Sequence, residues 1–270
     1  MIVIKIGGSI YSEVSSSFLE ELKEITSKKP LILVHGGGDK VTEIADRLGK
    51  KQEFIVSPEG IRSRYTDKET SEIYTMVMAG KINKEIVSSL IKKEIKAIGL
   101  SGIDAELLRA ERKKKLIIVD ERGRKRIIDG GYTGKIVKVN VELLNLLLSN
   151  NFIPVVSPVA ISEEHEFLNV DGDRAAAYIA GSLKAETLIF LTDVDGVLID
   201  GKVISRMNYE EAEELMPKIG FGMKTKVLAS LEALKMGCNR AIICNGKKEN
   251  ILKLALEEKE GSLIYKPPFS

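Results

Sequence analysis

Apolar positions in this chain gather into short continuous runs, and most of those runs end in glycine. Residues 2–6 lead into Gly7-Gly8-Ser9, and residues 31–34 lead into His35-Gly36-Gly37-Gly38. Runs of this length suit strands buried on both faces, and the residues that follow them have helical spacing. Helices are predicted over 17–26 and 39–48, and a long amphipathic helix over 67–80 that continues to Ile95. Between these last two, residues 53–64 read as extended chain containing the turn Ser57-Pro58-Glu59-Gly60. Further strands are predicted over 97–100, 154–158, 189–192 and 241–244. Residues 116–119, 126–129 and 135–139 read as a β-arm with a charged tip at 121–125. Strands alternating with helices predict an α/β fold, a mainly parallel central sheet sandwiched between helices. A division into two lobes is expected near residues 170–180, where a second series of strand–glycine junctions begins.

Ligands in such sheets bind beyond the carboxyl ends of the strands, where these glycines fall. The sequence has neither a P-loop nor a G-x-G-x-x-G dinucleotide turn. It has three other clusters, Gly7-Gly8, Gly36-Gly37-Gly38 and Gly99 with Gly102. Each is either a plain turn or a place where backbone approaches a ligand, and a helix start beyond it favours an anion. Lys5 is more telling, because it stands inside an apolar strand where packing alone selects Val or Ile. Burying an ammonium is costly unless an anion compensates it, and a phosphate held by Gly8 and Gly36–Gly38 would do so.

Three later segments add to this. Asn169-Val170-Asp171-Gly172-Asp173-Arg174-Ala175-Ala176 opens a helix of small residues, with Asp171 a candidate N-cap. Leu191-Thr192-Asp193-Val194-Asp195-Gly196-Val197 is a strand feeding an acidic loop, and Gly220-Phe221-Gly222-Met223-Lys224-Thr225-Lys226 delivers two lysines into a helix. Two anchored lysines, a carboxylate between them and glycine amides around them make a phosphoryl-transfer set.

Composition narrows the class. The 270 residues are 44% hydrophobic and 30% charged, enough for one large α/β domain or two lobes on a shared core. No apolar run approaches the ~20 residues that span a bilayer. The chain opens directly into a strand pattern, so a cytoplasmic enzyme without a targeting peptide is expected. Cys238 and Cys244 flank a buried-looking strand and read as core thiols, and His165 lies in an acidic loop. The net charge of +2 hides an asymmetry. Residues 1–150 hold 27 Lys+Arg against 21 Asp+Glu (+6), and residues 151–270 hold 14 against 18 (−4).

In order and spacing, Lys5-Ile6-Gly7-Gly8-Ser9, Val34-His35-Gly36-Gly37-Gly38, Asn169-x-x-x-Asp173-x-Ala175-Ala176, Leu191-Thr192-Asp193-Val194-x-Gly196-Val197 and Gly222-Met223-x-x-Lys226 resemble the amino-acid-kinase family. The segment Gly60-Ile61-Arg62-Ser63-Arg64-Tyr65-Thr66-Asp67, followed by Ala79-Gly80-Lys81-Ile82-Asn83-Lys84, is similar to acetylglutamate kinases, and its Arg-Tyr-Thr-Asp form resembles the LysZ branch. The resemblance implies a carbamate-kinase-like fold, with an acceptor lobe over 1–175 and an ATP lobe over 176–270. It implies transfer of the γ-phosphoryl group of MgATP to the side-chain carboxylate of 2-aminoadipate, glutamate or both. The acceptor's amino group would be carried on a small acidic LysW-type carrier protein, in lysine or arginine biosynthesis.

The implied roles are specific. Lys5 and Lys226 would stabilise the phosphoryl group in flight, with Asp173 pairing to both. Gly8, Gly36, Gly37 and Gly38 would bind phosphoryl group and acceptor. Arg64 would pair with the α-carboxylate and Asn169 would hold the substrate end. Thr192, Asp193 and Gly196 would contact nucleotide. Arg62 competes with Arg64, and Lys224 competes with Lys226 or binds ATP phosphates. A carboxylate acceptor is already a nucleophile, so the enzyme must supply positioning and charge neutralisation rather than a base. The sequence offers no dedicated metal cage, which suits Mg²⁺ carried mainly by the nucleotide.

Rival readings are a kinase of free acetylglutamate and a nucleotide-binding storage or sensor protein without catalysis. Retention of both Lys5 and Lys226 speaks against the second. A nucleic-acid binder is disfavoured, because aromatic residues are scarce near the basic run 109–115. Lys81, Lys84, Lys92, Lys93, Arg109, Arg112 and Lys113–Lys115 either steer an acidic partner or form a solvated surface. The family's arginine-inhibited hexamers carry a helix before the first strand. Here the strand begins at once, so a homodimer is expected.

Overall fold

A computed structural model describes residues 1–8 and 17–267, and Ser9 of the first glycine turn lies outside them. The apolar runs become one eight-stranded sheet. Its spatial order is Arg206–Asn208, Ser262–Tyr265, Arg240–Asn245, Thr187–Thr192, Ile2–Ile6, Leu31–His35, Ile153–Ser157 and Ala97–Ser101. Neighbours run parallel except Ser262–Tyr265 against Arg240–Asn245. Ile2–Ile6 lies at the centre, with Lys5 opposite Val34 on one side and Phe190 on the other. Alternate side chains of the same strand serve two cores, as strand geometry requires. Val3, Ile32 and Val34 pack with the alanines of the Gly172–Ser182 helix, whereas Ile2, Ile4 and Ile6 pack with Leu22, Val41 and Ile86.

The small residues of that helix let it lie directly on the sheet. Ala175, Ala176, Ala177 and Ala180 are wholly buried, and Asp171 caps the helix by accepting from the Arg174 amide at 2.9 Å. Cys238 and Cys244 are buried, and burial raises both thiols, Cys238 to about 11.

Three elements differ from the sequence-based expectation. The stretch 67–95 is an α-helix over Lys68–Thr75, a π-helical segment over Met76–Ile82 and an α-helix over Asn83–Ile91. The arm divides, because Lys115–Val119 pairs with Lys125–Asp129 while Gly134–Val139 leaves to pair with Leu108–Arg112. Those last two strands join Val159–Ile161 and Phe167–Asn169 in a second, four-stranded sheet. Leu108–Arg112 gave no strand signal, because only Leu108 and Ala110 face inward and the other three residues are charged. A further hairpin, Glu53–Val56 with Arg62–Tyr65, pairs apart from both sheets and lines the cleft described below.

Candidate active site

The centre of the site is a carboxylate gripped from two sides. Asp173, in the first turn of the Gly172–Ser182 helix, is 3% exposed. Its Oδ1 lies 2.7 Å from Lys5 Nζ, and its Oδ2 lies 3.3 Å from Lys226 Nζ. The Thr225 hydroxyl also donates to Oδ2, at 3.4 Å. Burial alone would raise the Asp173 carboxyl, but the two ammonium charges override it and hold it down at about 2. Burial likewise opposes the charge on Lys5, and Asp173 outweighs that, so the Lys5 ammonium titrates above its ordinary range. Two cations on one anion leave the trio one positive charge in excess. Sequence reading missed Thr225, whose only signal is its place beside Lys226.

The first two glycine turns meet over this trio. A Cβ on Gly8 would sit 2.4 Å from the backbone nitrogen of Gly37, so only glycine allows the two strand ends to touch. Gly37 has φ +155° and begins the Gly38–Arg47 helix without a side-chain cap, which leaves first-turn N–H groups free. Behind the turn, His35 is 1% exposed, and its Nδ1 donates to the Gly36 carbonyl at 3.0 Å. Burial lowers its pKa to about 4, so the ring is neutral.

The third glycine cluster is not a ligand-facing turn. The Cβ position of Gly99 lies 2.0 Å from Asn83 Oδ1, and that of Gly102 lies 2.3 Å from the Val159 carbonyl. Both glycines make room for neighbours.

Arg64, in the same cleft as the trio, is 8% exposed and held by neutral acceptors. Its NH2 donates to the Gly38 carbonyl at 2.7 Å and to Thr42 Oγ1 at 2.9 Å, and its NH1 donates to Gln52 Oε1. Arg62 is exposed and stacks on Phe54 with its guanidinium 3.8 Å from the ring centroid. Asn169 donates to Thr66 Oγ1 at 2.9 Å.

A cleft of about 730 Å³ brings together Lys5, Gly36, Gly37, Gly38, Arg62, Arg64, Asn169, Asp173 and Lys226. Five other expected residues do not line it. Gly8 backs it through Gly37, and Lys224 stands in the first turn of the Phe221–Lys235 helix. Thr192, Asp193 and Gly196 lie at the end of the neighbouring strand Thr187–Thr192 and in its loop. There the Thr192 hydroxyl donates to Asp193 at 3.2 Å. Gly196 lets the loop pass Ser262, whose Oγ would lie 2.4 Å from an added Cβ.

The basic surface residues are partly spoken for. Lys81, Lys93, Arg109 and Arg112 pair with Glu85, Glu20, Glu106 and Glu166, and Lys84 donates to the Gly99 carbonyl. Lys113, Lys114 and Lys115 form no ion pair among the described residues, and Lys113 lines the cleft. His165 is exposed in its loop.

Residues 1–245 match the amino acid kinase family. A protein of Saccharolobus solfataricus named LysW-aminoadipate/LysW-glutamate kinase is 49% identical over 258 residues, spanning 95% of this chain and 97% of that one. A Nitrosopumilus maritimus relative named for the same two substrates is 54% identical over 264 residues, spanning 98% and 99%. Two solved structures share the fold. They are smu.665 from Streptococcus mutans (TM-score 0.80, 24% identity) and carbamate kinase from Giardia lamblia bound to AMP-PNP (TM-score 0.69, 16% identity), each covering 98% of both chains.

Proposed function

This chain belongs to the amino acid kinase family, and from that premise we propose that it is a kinase with a carboxyl group as acceptor. It transfers the γ-phosphoryl group of ATP to the side-chain carboxylate of 2-aminoadipate or glutamate carried on a LysW-type protein, in lysine and arginine biosynthesis. The observation that carries the chemistry is the Lys5–Asp173–Lys226 trio lining one cleft together with Arg64.

In this reading Lys5 and Lys226 neutralise charge on the phosphoryl group in flight, and Asp173 fixes where their ammonium groups stand. Amides of Gly8, Gly37 and Gly38 bind the phosphoryl group and the attacking carboxylate, while the Gly36 amide donates to the Ile6 carbonyl at 2.9 Å and holds the turn in place. Arg64 receives the α-carboxylate. Three of its five N–H groups are used, which leaves two for a ligand, and its burial distinguishes it from the rim residue Arg62. Asn169 holds the substrate end, and Thr192, Asp193, Gly196 and Lys224 serve the nucleotide. Both Asp173 oxygens are occupied by lysines, so the carboxylate is a poor metal ligand. We assign Mg²⁺ to the nucleotide phosphates, where it neutralises their charge.

Residues 1–175 supply the acceptor half and 176–270 the nucleotide half, with the Gly172–Ser182 helix spanning the division. We assign the protein a homodimer, with the exposed apolar residues Met76 and Ile91 as the places to probe for its interface. No helix among the described residues is long and apolar enough to cross a membrane, and we place the enzyme in the cytoplasm.

The test is ADP release with carrier-linked aminoadipate, carrier-linked glutamate and free acetylglutamate. At least one carrier-linked acceptor should be used, with kcat/KM falling between low and ~0.5 M salt as ions screen the encounter. Replacing Lys113, Lys114 and Lys115 with Ser should flatten that fall without changing ATP affinity. Efficient turnover of free acetylglutamate with no salt-sensitive carrier route would return the protein to the acetylglutamate kinases.

A further inference from the structure

We infer that His35, held in place by Asn83, is a positioning residue for phosphoryl transfer that fixes the Gly36 carbonyl and with it the turn leading to the Gly37 and Gly38 amides. This rests on the kinase reading above. The hydrogen bonds assign the ring unambiguously. The Gly36 carbonyl can only accept, so Nδ1 carries the proton, and Nε2 offers its lone pair to Asn83 Nδ2 at 3.2 Å. Asn83 is wholly buried, and its Nδ2 also donates to the Val155 carbonyl at 2.8 Å and lies 3.3 Å from that of Leu100. Its Oδ1 accepts from Lys84 Nζ at 3.0 Å, which fixes the amide's orientation. A continuous chain of polar contacts therefore runs from the cleft wall, through the imidazole, to two neighbouring strands.

The surrounding backbone is shaped to admit this chain. Asn83 follows directly on the π-helical segment Met76–Ile82, whose extra residue per turn re-aims the side chains after it. The same segment wedges Gly37, since Ile82 Cδ1 would lie 2.2 Å from a Cβ there. On the far side Gly99 has no side chain, and Asn83 Oδ1 stands where its Cβ would be. Leu31–Val34 are all apolar and buried, so packing alone would continue the strand with another aliphatic residue at 35. An imidazole there contributes something packing does not, a donor aimed at Gly36. Small misplacement of groups that contact the reacting atoms costs up to ~10²-fold in rate.

Three substitutions separate the parts. His35→Asn keeps a donor near the Nδ1 position but cannot reach Asn83. His35→Gln reaches Asn83 but has no donor for Gly36. His35→Phe fills the space and does neither. In His35→Phe, kcat should fall about 30-fold, with KM for ATP and for acceptor within ~3-fold of wild type. His35→Asn should recover at least ~5-fold of that loss, and His35→Gln should not. In protein labelled with ¹⁵N-glycine, the Gly37 and Gly38 amide resonances should shift in the Phe and Gln variants and return toward wild type in the Asn variant. Activities that follow thermal midpoints rather than the order Asn above Gln and Phe would overturn the inference, as would unshifted Gly37 and Gly38 resonances in His35→Phe. The resonances need no turnover, so an inactive wild type would instead overturn the proposed function.

Discussion

The two ends of the cleft handle positive charge in opposite ways. At the proposed transfer centre, Lys5 and Lys226 find their counter-charge inside the protein, on Asp173. At the proposed acceptor end, Arg64 is just as buried, yet its hydrogen-bond partners are all neutral. An internally paired cluster holds its geometry whether or not ligand is present. A guanidinium surrounded by carbonyl, amide and hydroxyl oxygens keeps its full charge for an incoming carboxylate. Under the proposed function the first arrangement would serve rate and the second affinity, which is a difference kinetics can resolve.

The largest expected effect lies at the transfer centre. Lys5→Ala and Lys226→Ala should each lower kcat by ~10²-fold or more, because each removes a preorganised donor from developing charge. The KM values should move far less. Near-normal kcat in either variant would show that the paired lysine is structural. At the other end, Arg64→Ala should raise the acceptor KM by roughly 10-fold to 50-fold and leave the KM for ATP nearly unchanged, as loss of one charge-assisted pair implies. Arg62→Ala should do little. If the two arginines exchanged behaviour, the exposed residue on Phe54 would be the carboxylate ligand and the contrast drawn above would fail.

The smallest effect is expected from pH. Asp173 at about 2 and His35 at about 4 both have depressed values, so each keeps its native form above that value and loses it only as pH falls through it. For His35, protonation would set a second N–H against the Asn83 amide. Between pH 5.5 and 8, kcat should therefore vary by no more than ~2-fold. An inflection near 6.5, where an ordinary histidine titrates, would mean that His35 takes part in proton transfer.

Lys5 was legible in the sequence because it is out of place. A cation in an apolar strand needs a partner, and Asp173 is that partner. The Gly8 and Gly36–Gly38 turns were legible by their position at strand ends. Gly99 looked the same and is not, because a missing Cβ records only that something comes close, and at Gly99 that something is Asn83. The π-helical turn left no mark, since residues 67–95 carry apolar spacing that fits a regular helix as well. The strand Leu108–Arg112 was hidden by its charged outer face. The pairing of four residues of the supposed steering surface was also beyond reach, because sequence does not say that Arg112 meets Glu166 at 2.8 Å.

The contact between Gly8 and Gly37 has a consequence for inhibition. Where two main chains touch with no side chain between them, the wall of the pocket is made of peptide groups that every variant of the protein must keep. An inhibitor anchored on those amides would meet a surface that point mutation cannot redraw, because the first methyl added at Gly8 would drive the two strand ends apart. Resistance would have to arise elsewhere in the cleft, among the side chains of the acceptor hairpin.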